Sequence, residues 1–115
     1  MVHSTFEALK HMKRGGVIIN TASIAGKTGY PGLGVYSGTK FAVIGFTEAV
    51  AQELENKGIG MYAVCPGATQ TRMWKELYGG QAEYKPQEVA GEILNMLKNK
   101  NLKPGAAINV KHHKA

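Results

Sequence analysis

Residues 17–26 read VIINTASIAG, an apolar, largely β-branched run followed directly by small and hydroxyl-bearing residues. Val17 to Asn20 is typical of a strand buried on both faces, because its apolar residues follow one another without alternation. Residues 21–34 are rich in Gly, Ser, Thr and Pro, which indicates a loop. We therefore expect a short interior strand that leads into a loop carrying Ser23.

Helical patterns flank this strand on both sides. Residues 6–13 resemble the last turns of a helix that ends at Gly15-Gly16, where glycine commonly stops a helix. A longer helix is predicted from Val35 to Lys57, ending at Gly58. Its apolar positions recur at three- and four-residue intervals, namely Ala42, Val43, Phe46, Ala49, Val50 and Leu54.

The remaining pattern alternates strand and helix. Met61 to Val64 predicts a second buried strand, stopped by Pro66-Gly67, and Pro86-Gln87-Glu88 opens another helix with proline and an acid in its first turn. The apolar face of that helix is predicted to include Val89, Ile93, Leu94 and Leu97. Residues 106–110 predict a third strand and residues 111–115 a tail. This order favours parallel crossovers, and hence an α/β protein whose three strands and flanking helices form the C-terminal part of a doubly wound, Rossmann-type sheet.

Composition narrows the class of protein. A chain of 115 residues, 43% hydrophobic and 19% charged, suits one globular domain over residues 1–115. No stretch reaches the roughly 18 apolar residues of a membrane span, and no signal peptide is visible at the N-terminus. A single cysteine fits a reducing compartment. We expect a cytoplasmic protein with no membrane partner.

Two further kinds of site are disfavoured. The net charge of +6 comes from basic residues spread along the chain, with no nucleic-acid-binding motif beside them, so no nucleic-acid partner is expected. The four histidines show no ligand spacing with Cys, Asp or Glu, so no metal site is expected. Cys65, before a proline at a strand end, is interpreted as a small buried residue rather than a nucleophile.

Tyr36 and Lys40 carry the strongest chemical signal. At positions i and i+4 they share one helix face. A phenol normally ionises near pH ~10 and is a poor base at neutral pH, but an ammonium one turn away stabilises the phenolate. Such a tyrosine can exchange a proton with an alcohol or carbonyl oxygen, and the hydroxyl of Ser23 can hydrogen-bond the same oxygen.

Each of these residues also has an ordinary structural interpretation. Tyr36 could be a half-buried core tyrosine, Lys40 a solvated helix lysine, and Ser23 a loop or capping serine. Taken singly, these interpretations are favoured, because a tyrosine four residues before a lysine arises by chance about once in every few hundred residues and is a weak signal alone.

The three motifs together carry a family resemblance. Residues 19–26 (INTASIAG), 36–40 (YSGTK) and 65–71 (CPGATQT), in this order and spacing, resemble the short-chain dehydrogenase/reductase family over nearly the whole chain. The resemblance implies an NAD(P)-dependent oxidoreductase that interconverts a secondary alcohol and a ketone.

The resemblance also assigns roles to individual residues. Tyr36 would be the catalytic acid/base, Lys40 would support it and bind the nicotinamide ribose, and Ser23 would orient the substrate oxygen. Tyr36 and Lys40 would therefore also contact the cofactor, NAD or NADP. The segment along the nicotinamide would comprise Pro66, Gly67, Thr69 and Thr71, and residues 72–85, including Trp74 and Tyr78, would match the loop that closes over substrate.

The sequence departs from the family pattern in its cofactor half. The glycine-rich phosphate loop that follows the family's first strand is missing, as is the residue that selects NAD or NADP. Residues 28–34 imitate a phosphate loop, but they contain Pro31 and occupy the family's serine-to-tyrosine connection. We therefore expect a partial dehydrogenase domain, lacking the N-terminal dinucleotide-binding half, that alone binds NAD(P) feebly and exposes an unpaired edge at its first strand.

Two hypotheses follow for the biological unit. In the first, the chain is the catalytic portion of an oxidoreductase and acts on a small alcohol or ketone with a complementary N-terminal half or as a homo-oligomer. In the second, it is a non-catalytic association module that pairs with a related dehydrogenase through its long helices, where Phe41 and Phe46 suit either packing or pairing.

Overall fold

The computed structural model describes residues 1–67 and 84–110. In these segments three strands form one parallel sheet in the order β1-β2-β3. The strands are β1 Val17–Thr21, β2 Gly60–Cys65 and β3 Ala107–Asn109; the helices are α1 Val2–Leu9, α2 Gly34–Leu54 and α3 Pro86–Lys98; and short 3₁₀ helices span Ile24–Gly26 and Glu55–Lys57. The predicted α/β class with parallel crossovers is confirmed.

The central strand β2 separates two apolar layers. On one face, Met61 packs with Val50 and Leu54 of α2, and Cys65 lies near the partly buried Val43 and Ile44 of the same helix. On the other face, a separate core cluster joins Val64 of β2, Met96 of α3 and Val110, which follows β3. Helices therefore cover both faces of the sheet, as in a doubly wound fold, because alternate residues of an interior strand point to opposite sides.

Strand β1 is an edge strand in the sheet formed by the described residues. Val17 is 41% exposed, Thr21 is exposed, and the three residues between them are only partly buried. The burial on both faces predicted from the apolar run is therefore only partial for β1: Ile18 packs against the core cluster on one face and Ile19 against the cluster on the other. The unpaired edge predicted for the first strand agrees with the topology, since among the described residues β1 pairs with β2 alone.

Two helix predictions need correction. Helix α1 ends at Leu9 rather than at Gly15-Gly16. Gly15, at a φ of +95°, instead donates its N–H to Gly58 O at 2.8 Å, so this glycine directs the chain into β1. Gly58 itself ends the second 3₁₀ helix in a left-handed conformation, as its predicted stopping role requires.

The apolar face of α3 was also only partly predicted. Leu94 and Leu97 are 56% and 51% exposed, whereas Met96 is buried against Val64. The buried stripe runs through Val89, Ile93 and Met96, so the two leucines lie on the neighbouring stripe of the same helix. In the segments that the structure describes, no helix is long and apolar enough to cross a membrane.

Candidate active site

The turn that carries Ser23 is fixed to the carboxyl end of β2. Beyond the end of β1, Ala22 N–H donates to Val64 O at 2.8 Å and Ile24 N–H donates to Pro66 O at 3.1 Å. Ser23 caps the first 3₁₀ helix, and its Oγ accepts a hydrogen bond from Ala25 N at 3.1 Å. The capping interpretation of Ser23 is therefore realised, but a hydroxyl that accepts one hydrogen bond still has its own proton to donate.

The same turn packs tightly against the first turns of α2. Ser37, which is 5% exposed, donates its hydroxyl to Ala25 O. Gly26 lies so close to α2 that an added Cβ would stand 2.7 Å from Lys40 O. These two contacts place the serine turn beside the helix turn that spans Tyr36 to Lys40 and hold the two elements in one arrangement.

A buried polar contact fixes α2 against β1 further along. Asn20 Nδ2 donates to Thr47 Oγ1 at 3.0 Å, and Thr47 is completely buried. A buried hydroxyl is costly to leave without a partner, so this bond restricts how α2 can slide along the sheet. The strand before Ser23 and the helix after Tyr36 are thus held together by a second, independent contact.

Tyr36 and Lys40 project from the head of α2 as predicted. Lys40 Nζ lies 5.5 Å from the centroid of the Tyr36 ring, within the range of a cation–π contact. Tyr36 is 47% exposed, so it is not a core tyrosine, and its ring is open to a bound molecule. The partly buried Lys40 thus places its ammonium beside the Tyr36 ring.

Pro66 and Gly67 follow β2 next to the serine turn, and both are partly buried. The Tyr84 ring covers Gly67, because a Cβ at that position would be 2.6 Å from Tyr84 Cε2. The other two predicted cofactor residues, Thr69 and Thr71, lie outside the described residues, as do Trp74, Tyr78 and most of the predicted substrate loop.

Cys65, at the end of β2, is completely buried in an apolar cluster. Burial raises the pKa of its thiol above the ordinary value of 9.0, although the nearby Lys27 charge and the Ser23 backbone N–H act in the opposite direction. A neutral, shielded thiol is a poor nucleophile, which agrees with the interpretation of Cys65 as a packing residue.

The raised pKa of the Cys65 thiol predicts how the stability of the folded chain changes with pH. Because the folded-state pKa of Cys65 is raised, its contribution to stability is intact below the unfolded-state pKa and is lost as pH rises above about 9 toward the folded value. Urea unfolding at pH 7.5 and 10 should show a smaller loss of stability for Cys65→Ala than for the unchanged chain. An equal loss in both proteins would contradict this account.

Sequence reasoning gave no role to two residues that hold the site together, Gly26 and Ser37, nor to Lys27, which lies next to the site. Gly26 and Ser37 lie in sequence between Ser23 and Lys40. Their small size was the one feature that could have indicated a close approach of two backbones, because such an approach needs small residues. Lys27 Nζ donates to Ala107 O at 2.7 Å; the two residues are 80 positions apart in the sequence, so no local pattern predicts this contact. In the part of the chain that the structure describes, no group of three His, Cys, Asp or Glu side chains could hold a metal ion.

Comparisons with known proteins agree with the geometry. A family model for short chain dehydrogenases matches residues 1–82. A diacetyl reductase, (S)-acetoin forming, of Staphylococcus aureus is 43% identical over 82 residues, which cover 71% of this chain and 32% of the relative. An L-2,3-butanediol dehydrogenase of Corynebacterium glutamicum is 53% identical over 62 residues, which cover 54% of this chain and 24% of the relative.

A solved structure extends the likeness of fold to nearly the whole chain. The short chain dehydrogenase of Burkholderia cenocepacia J2315 in complex with NADP superposes with a TM-score of 0.83 at 24% identity, covering 96% of this chain and 50% of the other. The chain therefore belongs to the short-chain dehydrogenase/reductase family, as its motifs indicated. Its matches span about a third of the length of the Staphylococcus aureus relative and half of the Burkholderia structure.

Proposed function

We propose that this chain is the catalytic portion of an NAD(P)-dependent oxidoreductase that interconverts a secondary alcohol and a ketone. The observation that carries the proposal is the packing of the Ser23 turn on the head of α2, where Gly26 meets the backbone of Lys40. That contact sets the Ser23 turn against the helix turn that carries Tyr36 and Lys40, and it supports the proposal that the three side chains act together near the carboxyl ends of the parallel strands, where ligands bind in open α/β sheets.

Each of the three side chains has a proposed role. The Tyr36 hydroxyl exchanges a proton with the substrate oxygen; its ring is half exposed, and the Lys40 ammonium lies 5.5 Å from the ring centroid. The Ser23 hydroxyl, already fixed by the Ala25 N–H, donates its proton to the same oxygen and orients it. Lys40 lies near enough to Tyr36 to serve a ribose hydroxyl as well.

We propose that the nicotinamide end of the cofactor lies at this site. Pro66 and Gly67 lie beside the Ser23 turn at the end of β2 and begin the segment proposed to run along the nicotinamide; Thr69 and Thr71 are proposed to extend that segment. The bound dinucleotide supplies the hydride acceptor or donor. In the described segments, no glycine-rich turn links a strand directly to a helix, and we propose that residues of a complementary half hold the pyrophosphate.

The relatives suggest which substrates to try first. One relative is named as a diacetyl reductase and another as a butanediol dehydrogenase, so small vicinal diketones and hydroxyketones are the first compounds to test. The free edge of β1 gives a complementary half a place to add its strand in parallel. We therefore propose that activity needs that half, supplied by another chain or by an oligomer.

Titration of NADH and NADPH into the purified 115-residue chain, followed by nicotinamide fluorescence, tests this proposal. We expect no saturation below about millimolar cofactor, because most dinucleotide affinity comes from the phosphate and adenosine contacts. Adding a polypeptide that carries the glycine-rich half of a relative should produce saturable binding. Failure to bind in that mixture, with both polypeptides shown to associate, would contradict the proposal.

A non-catalytic association module is the second candidate. The supporting observation is the apolar surface of α1 and α2: Phe6 and Phe46 pack edge to face at 6.0 Å, while Phe6 and Phe41 remain 50% and 47% exposed. Light scattering on the titrated samples separates the two candidates. A stable oligomer that binds no cofactor under any condition supports the module, and cofactor binding on addition of the missing half supports the enzyme.

A further inference from the structure

Lys27 makes a contact that the site described above does not use. It directly follows the first 3₁₀ helix, and its Nζ donates to Ala107 O at 2.7 Å. Ser23 and Lys27 are therefore at the two ends of one short turn. The first end is held by the Ile24 hydrogen bond to Pro66 O, and the second by a side chain that reaches another strand.

The acceptor of this bond lies on the free edge of β3. Ala63 N–H of β2 donates to Ala106 O, and residues alternate sides along a parallel ladder, so the peptide groups of Ala107 point away from β2. β3 is an edge strand in the described sheet, and β2 lies between it and β1. Lys27, which follows β1, therefore reaches past β2 to the far edge of the sheet.

The other anchor of the turn agrees with this path. Ile24 N–H donates to Pro66 O, directly after β2, so the turn lies at the carboxyl end of the central strand before Lys27 extends to β3. From Thr28 to Gly32 the chain is exposed, and Thr28 N–H donates to Ile24 O at 3.3 Å, so the turn that carries Lys27 ends next to a solvated segment.

From this arrangement we propose that Lys27 is a positioning residue, whose ammonium fastens the serine turn across the sheet to Ala107 and thereby fixes the Ser23 hydroxyl. The proposal rests on the proposed function only for the importance of Ser23 in the reaction. The tie itself is a property of the folded chain. Because the Lys27–Ala107 bond is exposed, its loss has little effect on global stability and acts mainly on the turn.

Amide hydrogen exchange on the full chain tests the effect of the Lys27–Ala107 hydrogen bond on the serine turn, and this measurement needs no enzymatic activity. The reporter is the Ala25 N–H, since its partner is Ser23 Oγ itself; Gly26 N–H, bonded to Ser23 O, is a second reporter. Gly60 N–H, bonded to Gly16 O at the other end of the sheet, reports global unfolding. Three variants are compared with the unchanged chain: Lys27→Met, which keeps the apolar stem, Lys27→Arg, which keeps a charged donor, and Lys13→Met, an exposed lysine as control.

We expect Lys27→Met to raise the exchange rates of Ala25 and Gly26 about five- to tenfold, with the Gly60 rate unchanged. Lys27→Arg and Lys13→Met should leave all three rates near those of the unchanged chain. Unchanged Ala25 exchange in Lys27→Met would overturn the proposal, and so would an equal rise at Gly60, because Lys27 would then contribute only to overall stability. If cofactor binding fails in the titration described above, the proposed function falls while this exchange result stands independently.

Discussion

Replacing Tyr36 by phenylalanine lowers kcat/KM by about 10²- to 10⁴-fold in the enzyme reconstituted with a glycine-rich half, and leaves nicotinamide affinity nearly unchanged. The change removes one hydroxyl and leaves a ring of the same size under Lys40 Nζ, which lies 5.5 Å from the ring centroid. Proton exchange with the substrate oxygen is lost, whereas the ring that would contact the cofactor keeps its size and place. The effect should therefore appear in kcat rather than in the cofactor dissociation constant.

The matched control is Tyr30→Phe. Tyr30 is exposed to a similar degree, 42% against 47% for Tyr36, and lies in the loop before α2. It has no lysine four residues later, so its hydroxyl has no proposed chemical role. Steady-state reduction of a small diketone should be close to normal for Tyr30→Phe and nearly absent for Tyr36→Phe. Equal rates for the two variants would remove Tyr36 from the mechanism.

The parts of this fold that could be predicted from sequence are those fixed by local pattern. The alternation of strands and helices follows from apolar runs and their stops, and Tyr36 and Lys40 share a face because the helix period places them there. Pro86 starts α3 at the expected residue, since a proline is tolerated in the first turn of a helix. These features need no knowledge of the neighbouring elements.

The parts that could not be predicted depend on contacts between distant segments. Leu94 and Leu97 have the same local spacing as the buried side chains of α3, and only the position of the sheet decides which stripe is covered. Gly15 looks like a helix stop until its partner, Gly58 O, is known. The motif residues around Ser23 identify the family, but the closeness of the turn to α2 depends on Gly26 and Ser37, which local propensity does not distinguish from other small residues.

The second large effect is expected at Gly26. An alanine there would place its Cβ 2.7 Å from Lys40 O and 2.9 Å from Lys40 C, both backbone atoms that cannot move aside as a flexible side chain could. The turn must separate from α2 or strain it, and we expect Gly26→Ala to reduce the free energy of unfolding by about 1–3 kcal/mol. Urea unfolding followed by far-ultraviolet circular dichroism gives this value.

Gly45→Ala is the control that isolates this steric cause. Gly45 lies in α2, is exposed, and has nothing within 4 Å of an added Cβ. The substitution should stabilise the chain by about 0.5–1 kcal/mol, because alanine favours a helix interior over glycine. If Gly26→Ala lowers the free energy of unfolding and Gly45→Ala raises it, the loss at Gly26 comes from the close packing of the Ser23 turn on Lys40. In the reconstituted enzyme Gly26→Ala should also lower kcat, since the turn that carries Ser23 can no longer approach α2. Unaltered stability and kcat in Gly26→Ala would mean that the packing of this turn does not determine the geometry of the site.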